Sequence, residues 1–163
     1  MLKNKKGFTL SELLAVLLIV GILATIAMPA YKTSTIKTRI ANNMPLMRAL
    51  QNDMVNYYNL HGKLPTKLTQ LSINKSEFSN LANNKGTHTP TRCTFTLSTS
   101  QISMDCGQGW TMDYKVEATG VGYTNGERTI HITGTDNASS IRKAAAGFGW
   151  QQKSGSNDTY IIE

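Results

Sequence analysis

The chain has 163 residues and a formal net charge of +7, from 17 lysine and arginine residues against 10 aspartate and glutamate residues. Hydrophobic residues make up 40% of it and charged residues 17%, a composition that excludes a chain disordered throughout. The length fits one small domain with a helical stem. Because Lys3, Lys5 and Lys6 precede the first apolar segment, the remainder is only mildly basic.

The segment from Phe8 to Tyr31 is predominantly apolar and contains a single acid, Glu12. A continuous helix over its 24 residues would be about 36 Å long, enough to cross a hydrocarbon core of about 30 Å. We therefore predict a transmembrane helix over 8–31. The lysines before it predict a cytoplasmic N-terminus and an exported C-terminal part.

Two ordinary kinds of segment share some of these features. A secretory signal peptide has an apolar part of about 7 to 15 residues followed by small residues, and Thr25-Ile26-Ala27 ahead of Pro29 is a poor cleavage site. An uncleaved signal anchor explains the length but not Glu12, because an unpaired acid deep in a bilayer costs on the order of 2.5 kcal/mol or more. Glu12 needs a partner unless it lies at headgroup depth.

The residues around this acid resemble the N-terminus of type IV prepilins and type II secretion pseudopilins. The stretch 5–14, KKGFTLSELL, matches the family's basic leader, glycine before the cut, methylated phenylalanine and glutamate at the fifth mature position. The resemblance implies that a prepilin peptidase cuts between Gly7 and Phe8 and methylates the new amine of Phe8. It divides the chain into a leader peptide (1–7), a transmembrane and assembly helix (8–31), an amphipathic stem (32–61) and a globular head (62–163).

Cleavage after Gly7 would place an α-amino group at Phe8, four residues before the carboxylate of Glu12, at a helix end that favours negative charge. If chains pack side by side with a stagger, the amine of one chain reaches Glu12 of the next. The cost of each charge in the membrane is then offset in the assembled state. We therefore predict that Phe8 and Glu12 set the register between subunits of a filament.

Beyond residue 31 the apolar residues recur at helical spacing, which predicts an amphipathic helix with one face against the head. These positions are Ile36, Ile40, Met44, Met47, Leu50, Met54 and Tyr57 or Tyr58. We predict a kink at Pro29, where the resemblance also implies one, and a kink or break at Pro45. The helix is predicted to end at His61, with Gly62 as its C-terminal cap.

The clearest prediction for the head is a β-hairpin over 92–106. Apolar residues alternate on both sides of the turn Thr99-Ser100, so antiparallel pairing places Cys93 opposite Cys106 at a Cα distance of about 4.5 Å, within disulfide range. The other pairs on that face are Phe95 with Met104 and Leu97 with Ile102. We predict a Cys93–Cys106 disulfide, which an exported location permits. A zinc or catalytic-thiol site lacks the required spacing.

The rest of the head is predicted as loops, strands and one short helix. The predicted elements are a loop over 72–91 with a short helix near 77–81, strands over 112–118, 128–133, 147–152 and 159–162, and a helix over 138–146. Together with the long N-terminal helix they predict an α+β fold, a helix packed on an antiparallel sheet. The resemblance implies the same architecture, the pilin fold.

Residues with chemical potential are scattered along the chain. His61, His88 and His131 form no recognisable motif, and the aspartates form no dense acidic loop. We predict no enzyme, no cofactor and no metal site. The basic residues Arg128, Arg142, Lys143 and Lys153, close in sequence to Trp150 and Tyr160, leave DNA contact as an alternative to an ordinary solvated face.

The predicted function is that of a type IV pilin-like structural subunit, polymerised through its N-terminal helix for adhesion, motility or DNA uptake. The implied partners are other pilin subunits, a prepilin peptidase and an inner-membrane assembly platform. The precursor is predicted in the inner membrane and the product in an extracellular pilus or a periplasmic pseudopilus. The alternatives are a type II secretion pseudopilin and, in another class, a membrane-anchored exported binding module.

Overall fold

A computed structural model describes residues 7–163, so the lysine-rich start of the predicted leader lies outside the described residues. Helix α1 (Leu10–His61) is 52 residues long and begins after the N-cap Thr9. It ends at Gly62, whose left-handed backbone (φ 68°) lets its N–H bond the Tyr58 carbonyl at 2.8 Å. The predicted C-terminus of the helix is confirmed.

Both prolines of the long helix lie inside α1, which is helical without interruption across Pro29 and Pro45. The alternative of a break at Pro45 is therefore wrong. A proline removes one backbone hydrogen bond, but buried residues on either side of Pro45, Asn43 and Met47, hold both flanking turns against the head. A bend at Pro29 stays a prediction.

The two parts of α1 differ in what surrounds them. From Phe8 to Lys32 every side chain is exposed, whereas from Ile36 onward one face is buried against the head. The buried residues of α1 are Ile36, Ile40, Asn43, Met47, Leu50, Gln51 and Met54. The predicted amphipathic stem is confirmed, with Met44 half-buried at its edge and two polar residues, Asn43 and Gln51, within the buried face.

Eight strands form one antiparallel sheet in the order β1-β2-β3-β4-β5-β6-β8-β7. They are β1 (Phe78–Ala82), β2 (Lys85–His88), β3 (Cys93–Leu97), β4 (Gln101–Asp105), β5 (Trp110–Thr119), β6 (Gly122–Ile132), β7 (Gln151–Gln152) and β8 (Thr159–Ile161). Helix α2 (Ala138–Gly147) packs against α1, which itself packs on β4, β5 and β6. The core between them is built around Phe95, Ile102, Met104, Trp110, Met112, Tyr114 and Ile130. The predicted α+β fold is confirmed.

The hairpin β3–β4 has the predicted register. Phe95 pairs with Met104 and Leu97 with Ile102, and all four side chains are buried on one face. A disulfide joins Cys93 to Cys106, with a Cα distance of 4.1 Å. Alternation of apolar and polar residues was sufficient to predict this register, because slipping it by one residue would expose the whole apolar set.

Three predicted stretches differ in the structure. The strand predicted over 128–133 begins six residues earlier, as β6. The loop predicted over 72–91 contains β1 and β2, and the short helix predicted near 77–81 is strand β1, preceded by a 3₁₀ turn at Lys75–Glu77. These strands add to the edge of the sheet through β3, and an edge strand needs few apolar side chains. The strand predicted over 147–152 is reduced to β7, because α2 continues to Gly147.

Candidate assembly site

The start of α1 is held by a capping box between Thr9 and Glu12. The Glu12 carboxylate oxygen Oε2 accepts hydrogen bonds from the Thr9 backbone N–H at 2.8 Å and from the Thr9 hydroxyl at 2.7 Å. In return the Glu12 N–H donates to the Thr9 hydroxyl at 3.3 Å. Glu12 therefore has a partner in its own chain, a local role that the Thr-x-x-Glu spacing indicates but that sequence reasoning missed.

The residues on either side of the predicted cleavage site are open to solvent. Phe8 is 86% exposed, and a Cβ atom added at Gly7 would meet nothing within 4 Å. Packing of the described chain therefore does not require a glycine at position 7 or a phenylalanine at position 8. Phe8 lies immediately before the N-cap Thr9, and Glu12 lies in the first turn of α1.

The apolar part of α1 has the length and composition to cross a membrane, and none of its most apolar window is buried in the chain. Fourteen large hydrophobic side chains between Phe8 and Tyr31 are each more than half exposed. Soluble monomers rarely expose a continuous apolar surface of this size. This surface must be covered by lipid, by other protein chains, or first by one and then by the other.

The stem of α1 is bound to the head along its length. Near its start the Lys37 ammonium donates to the Gly147 carbonyl at 3.0 Å and lies 5.0 Å from the centre of the Phe148 ring. Near its end the Asp53 carboxylate accepts the Ser72 N–H at 2.7 Å. Contacts near both ends of the stem therefore fix α1 to the head.

The chain is similar to a family motif and to several known proteins. Residues 2–28 match the prokaryotic N-terminal methylation motif. Over 69 residues the chain is 39% identical to a type IV major pilin protein PilE1 of Neisseria gonorrhoeae, covering 42% of each chain. It is 38% identical over 72 residues to a fimbrial protein of Neisseria meningitidis serogroup A, covering 44% of this chain and 42% of that one.

A weaker similarity extends over nearly the whole sequence. The fimbrial protein EcpC of Eikenella corrodens is 26% identical over 162 residues, which is 99% of this chain and 91% of that one. The chain is thus similar to proteins named as type IV pilin or fimbrial proteins. It spans about two fifths of the length of the Neisseria relatives that it matches.

A buried glutamine couples the stem to the sheet. The Gln51 amide donates to the carbonyls of Lys115 and Gly126, where the pairing of β5 with β6 shifts register after Tyr114. Its amide oxygen accepts from the Arg128 guanidinium at 2.8 Å. The side chain thus satisfies backbone groups that the irregular ladder leaves free.

Beside this glutamine lies Tyr114, which is completely buried on β5. Burial raises the pKa of its phenol above the ordinary value of about 10, and the nearby Arg48 and Arg128 guanidinium groups oppose this shift. The Arg128 guanidinium lies 5.6 Å from the ring centre. The hydroxyl has no hydrogen-bond partner among the described residues, so its protonated form is favoured by burial alone.

Three of the four basic residues considered for DNA contact have polar partners within the head. Arg142 pairs with Asp158 at 2.6 Å, Lys153 pairs with Glu127 at 2.7 Å, and Arg128 bonds Gln51. These contacts give the residues structural roles, and they reduce the free positive charge available for phosphate groups.

The three histidines stay apart in the fold, as their spacing suggested. His131 lies on the sheet between Asp113, at 3.0 Å from its Nε2, and the Thr159 hydroxyl, at 2.9 Å from its Nδ1. Thr159 is only 6% exposed, so this arrangement ties β5, β6 and β8 together and leaves no room for a substrate at the hydroxyl. Within residues 7–163 no group of three or more histidine, cysteine or acidic side chains is placed to hold a metal ion.

Proposed function

We propose that this chain is a structural subunit of a type IV pilus, cut between Gly7 and Phe8, methylated on the Phe8 amine and polymerised through α1. The observation that carries the proposal is the apolar half of α1, fully exposed and joined without interruption to a stem fixed on a folded head. The relatives named as pilin and fimbrial proteins support the same role.

The exposed helix fits two successive environments. Before assembly its apolar side chains lie in the inner membrane, with the head on the exported side. After assembly the same side chains pack against those of other subunits, so that no new hydrophobic surface has to be exposed. The chain divides accordingly into the leader 1–7, the assembly helix 8–31, the stem 32–61 and the head 62–163.

We infer that Glu12 gains a second partner during assembly. In the single chain its carboxylate caps the helix through Thr9, whereas in the filament it also compensates the amine of Phe8 on a neighbouring chain. The carboxylate has acceptor sites for both partners, since two oxygens offer about four lone-pair directions. The charge pair then favours one stagger between neighbouring helices.

Processing is tested by replacing Gly7 with a bulky residue. We expect Gly7→Leu to accumulate as a full-length membrane precursor, because the peptidase must bring the backbone at position 7 close to its active site. Gly21→Leu is the matched control, since Gly21 is also exposed and has open space around it. A Gly7→Leu subunit with the normal mature mass would contradict the peptidase assignment.

The pseudopilin alternative is separated by the form of the filament. If the chain builds a surface pilus, deleting its gene should remove long filaments visible by electron microscopy. A loss of protein secretion with unchanged surface filaments would favour the pseudopilin. Retention of residues 1–7 in the mature protein would favour an anchored binding module.

A further inference from the structure

Two of the five arginines of the chain line one cavity, and neither has a partner in the fold. The guanidinium groups of Arg39 and Arg92 form no ion pair or hydrogen bond with any residue from 7 to 163. The other three arginines each donate to an oxygen atom of the head: Arg48 at Glu163, Arg128 at Gln51 and Arg142 at Asp158.

The cavity lies between α1 and the turn that joins β2 to β3, and its volume is about 440 Å³. Helix α1 contributes Arg39 and Asn42, and the turn contributes Thr91 and Arg92, next to the Cys93–Cys106 disulfide. We call it the arginine cavity. Two cations without partners, beside an amide and a hydroxyl group, form a set of hydrogen-bond donors that suits the oxygen atoms of a phosphate group.

The backbone fixes the position of both arginines. The buried side chain of Asn43 donates to the Arg39 carbonyl at 2.9 Å. Arg92 has a left-handed backbone (φ 57°), and its N–H donates to the His88 carbonyl at 2.8 Å. Glycine or asparagine adopts this conformation at a lower cost. The shape of the turn therefore does not explain why an arginine occupies it, whereas a role for its side chain does.

In the proposed precursor the arginine cavity lies close to the membrane. The exposed apolar part of α1 ends at Tyr31, and Arg39 follows eight residues later, at a rise of about 12 Å. Side chains on a helix lean toward its N-terminus, which directs Arg39 back toward the bilayer. The headgroup layer extends about 5–8 Å beyond the hydrocarbon core. A long arginine side chain spans the remaining distance.

We propose that the arginine cavity binds the phosphate group of an anionic phospholipid on the exported side of the inner membrane before assembly. Docking rests on the proposed function, because the membrane-embedded helix is what brings the head to the lipid. Tyr31 and Lys32, both exposed at the start of the stem, are residue types that suit the same interface. Docking would hold the head in one orientation until the subunit leaves the membrane.

Two acids near this end of the head leave the arginine cavity free. Asp105 accepts the Gly107 N–H at 2.7 Å, and Asp136 precedes Asn137 at the start of α2. Neither acid lines the cavity. The positive charge of the two guanidinium groups is therefore not neutralised within the cavity.

Other anions fit the arginine cavity less well. Duplex DNA is usually bound by a longer row of cations, whereas two arginines neutralise only two phosphates. An acidic side chain of a second copy would reach the cavity only after assembly. Lipid phosphates surround the exit of α1 from the membrane, so they are the first anions that the cavity meets.

Hydrogen exchange of the full-length chain in lipid nanodiscs tests docking without requiring filaments. One set of nanodiscs contains phosphatidylcholine alone, and in the other about one third of the lipid is phosphatidylglycerol. An arginine near an anionic surface favours binding by about fivefold, and two arginines by about 25-fold. We therefore expect amides of the β2–β3 turn to exchange about fivefold or more slowly in the anionic nanodiscs. The β5–β6 turn, beside the far end of α1, should exchange equally in both.

Matched variants identify the groups responsible. Arg39→Gln/Arg92→Gln should lose the slower exchange and keep its melting temperature, because neither guanidinium has a partner in the fold. Arg39→Lys/Arg92→Lys keeps both charges and should retain most of the effect. Lys63→Gln/Lys85→Gln removes the same charge from exposed positions outside the cavity and should behave as the wild type.

Three results would overturn the proposal: equal exchange of the β2–β3 turn in both nanodiscs, equal slowing of the β5–β6 turn, or slowing that persists in Arg39→Gln/Arg92→Gln. If slowing persists in that variant while its filament yield falls, the arginines contact another subunit instead of lipid. Failure of the wild-type chain to form filaments would overturn the proposed function, whereas docking is measured on the membrane-bound chain, so the two failures are distinguishable.

Discussion

At the scale of single residues, Glu12 combines a local role with a proposed role between subunits. Its carboxylate completes the capping box with Thr9, and such caps stabilise a helix by about 0.5–2 kcal/mol. Capping explains why an acid lies at the start of a helix, but it does not explain why this acid lies within an apolar segment. The two roles make different demands on the side chain, since capping needs an acceptor and pairing with an amine needs a charge.

Substituting Glu12 separates these roles. Glu12→Gln keeps a capping acceptor but loses the charge, whereas Glu12→Ala loses both. We expect both variants to insert in the membrane with a folded head and to give few filaments, because an uncompensated buried amine costs about 3–5 kcal/mol. The measurement is filament yield relative to membrane-bound subunit at equal expression. Wild-type assembly of the glutamine variant would leave capping as the whole role of Glu12.

Tyr114 predicts a specific dependence of stability on pH. Because burial raises its pKa in the folded state, the unfolded chain loses this proton first as the pH rises above about 10. The free energy of unfolding should then fall with increasing pH. Tyr114→Phe should change stability by about 1 kcal/mol or less at pH 7, since the hydroxyl has no partner, and should reduce the fall above pH 10. Denaturant unfolding of both chains between pH 7 and 11 checks this, and identical slopes would contradict it.

At the scale of elements, the joint between α1 and the sheet depends on Gln51. Gln51→Leu keeps the volume but leaves the Lys115 and Gly126 carbonyls and the Arg128 guanidinium without that partner. We expect the free energy of unfolding to fall by about 1–3 kcal/mol. Asn56→Leu, at an exposed position further along α1, should change it by about 0.5 kcal/mol. Equal effects of the two substitutions would show that Gln51 is not the coupling residue.

The hairpin β3–β4 carries the disulfide of the head. Replacing Cys93 and Cys106 with alanine should lower the free energy of unfolding by about 2–4 kcal/mol, because the bridge closes a short loop in the unfolded chain. Unfolding curves of the variant and the wild type measure the difference. Thiol labelling of the native exported protein is the control, and two reactive thiols would show that the bridge does not form.

The sequence predicted those elements whose pattern is strong and local. The alternation around Cys93 and Cys106 specified both strands and their register, and Gly62 specified the end of α1. Strands β1 and β2 escaped prediction because their residues are mostly polar and their pairing with β3 is a tertiary property. Gln51 falls on the buried helical face with Met47, Leu50 and Met54, but its partners are distant in the chain and a sequence pattern cannot identify them.

At the N-terminus, less could be predicted from the residues alone. Gly7 and Phe8 could be proposed only from the resemblance, because neither residue packs against anything that would require it. The capping box at Thr9 and Glu12 is local, and the Thr-x-x-Glu spacing is sufficient to predict it.

At the scale of the whole molecule, one continuous helix combines an exposed apolar half with a half that packs against the head. Its first half is apolar on all sides, and its second half is the central support of the head. No flexible linker therefore separates the exposed apolar half of the helix from the head. This arrangement suits a structural subunit, in agreement with the relatives that are named as pilin and fimbrial proteins.

The central claim is that the chain is processed and then polymerised, and the intact mass of subunits from purified surface filaments tests it most directly. We predict a single species that begins at Phe8, carries one added methyl group and contains the Cys93–Cys106 disulfide. Filaments built from chains that retain residues 1–7, or the absence of this chain from the filaments, would contradict the account.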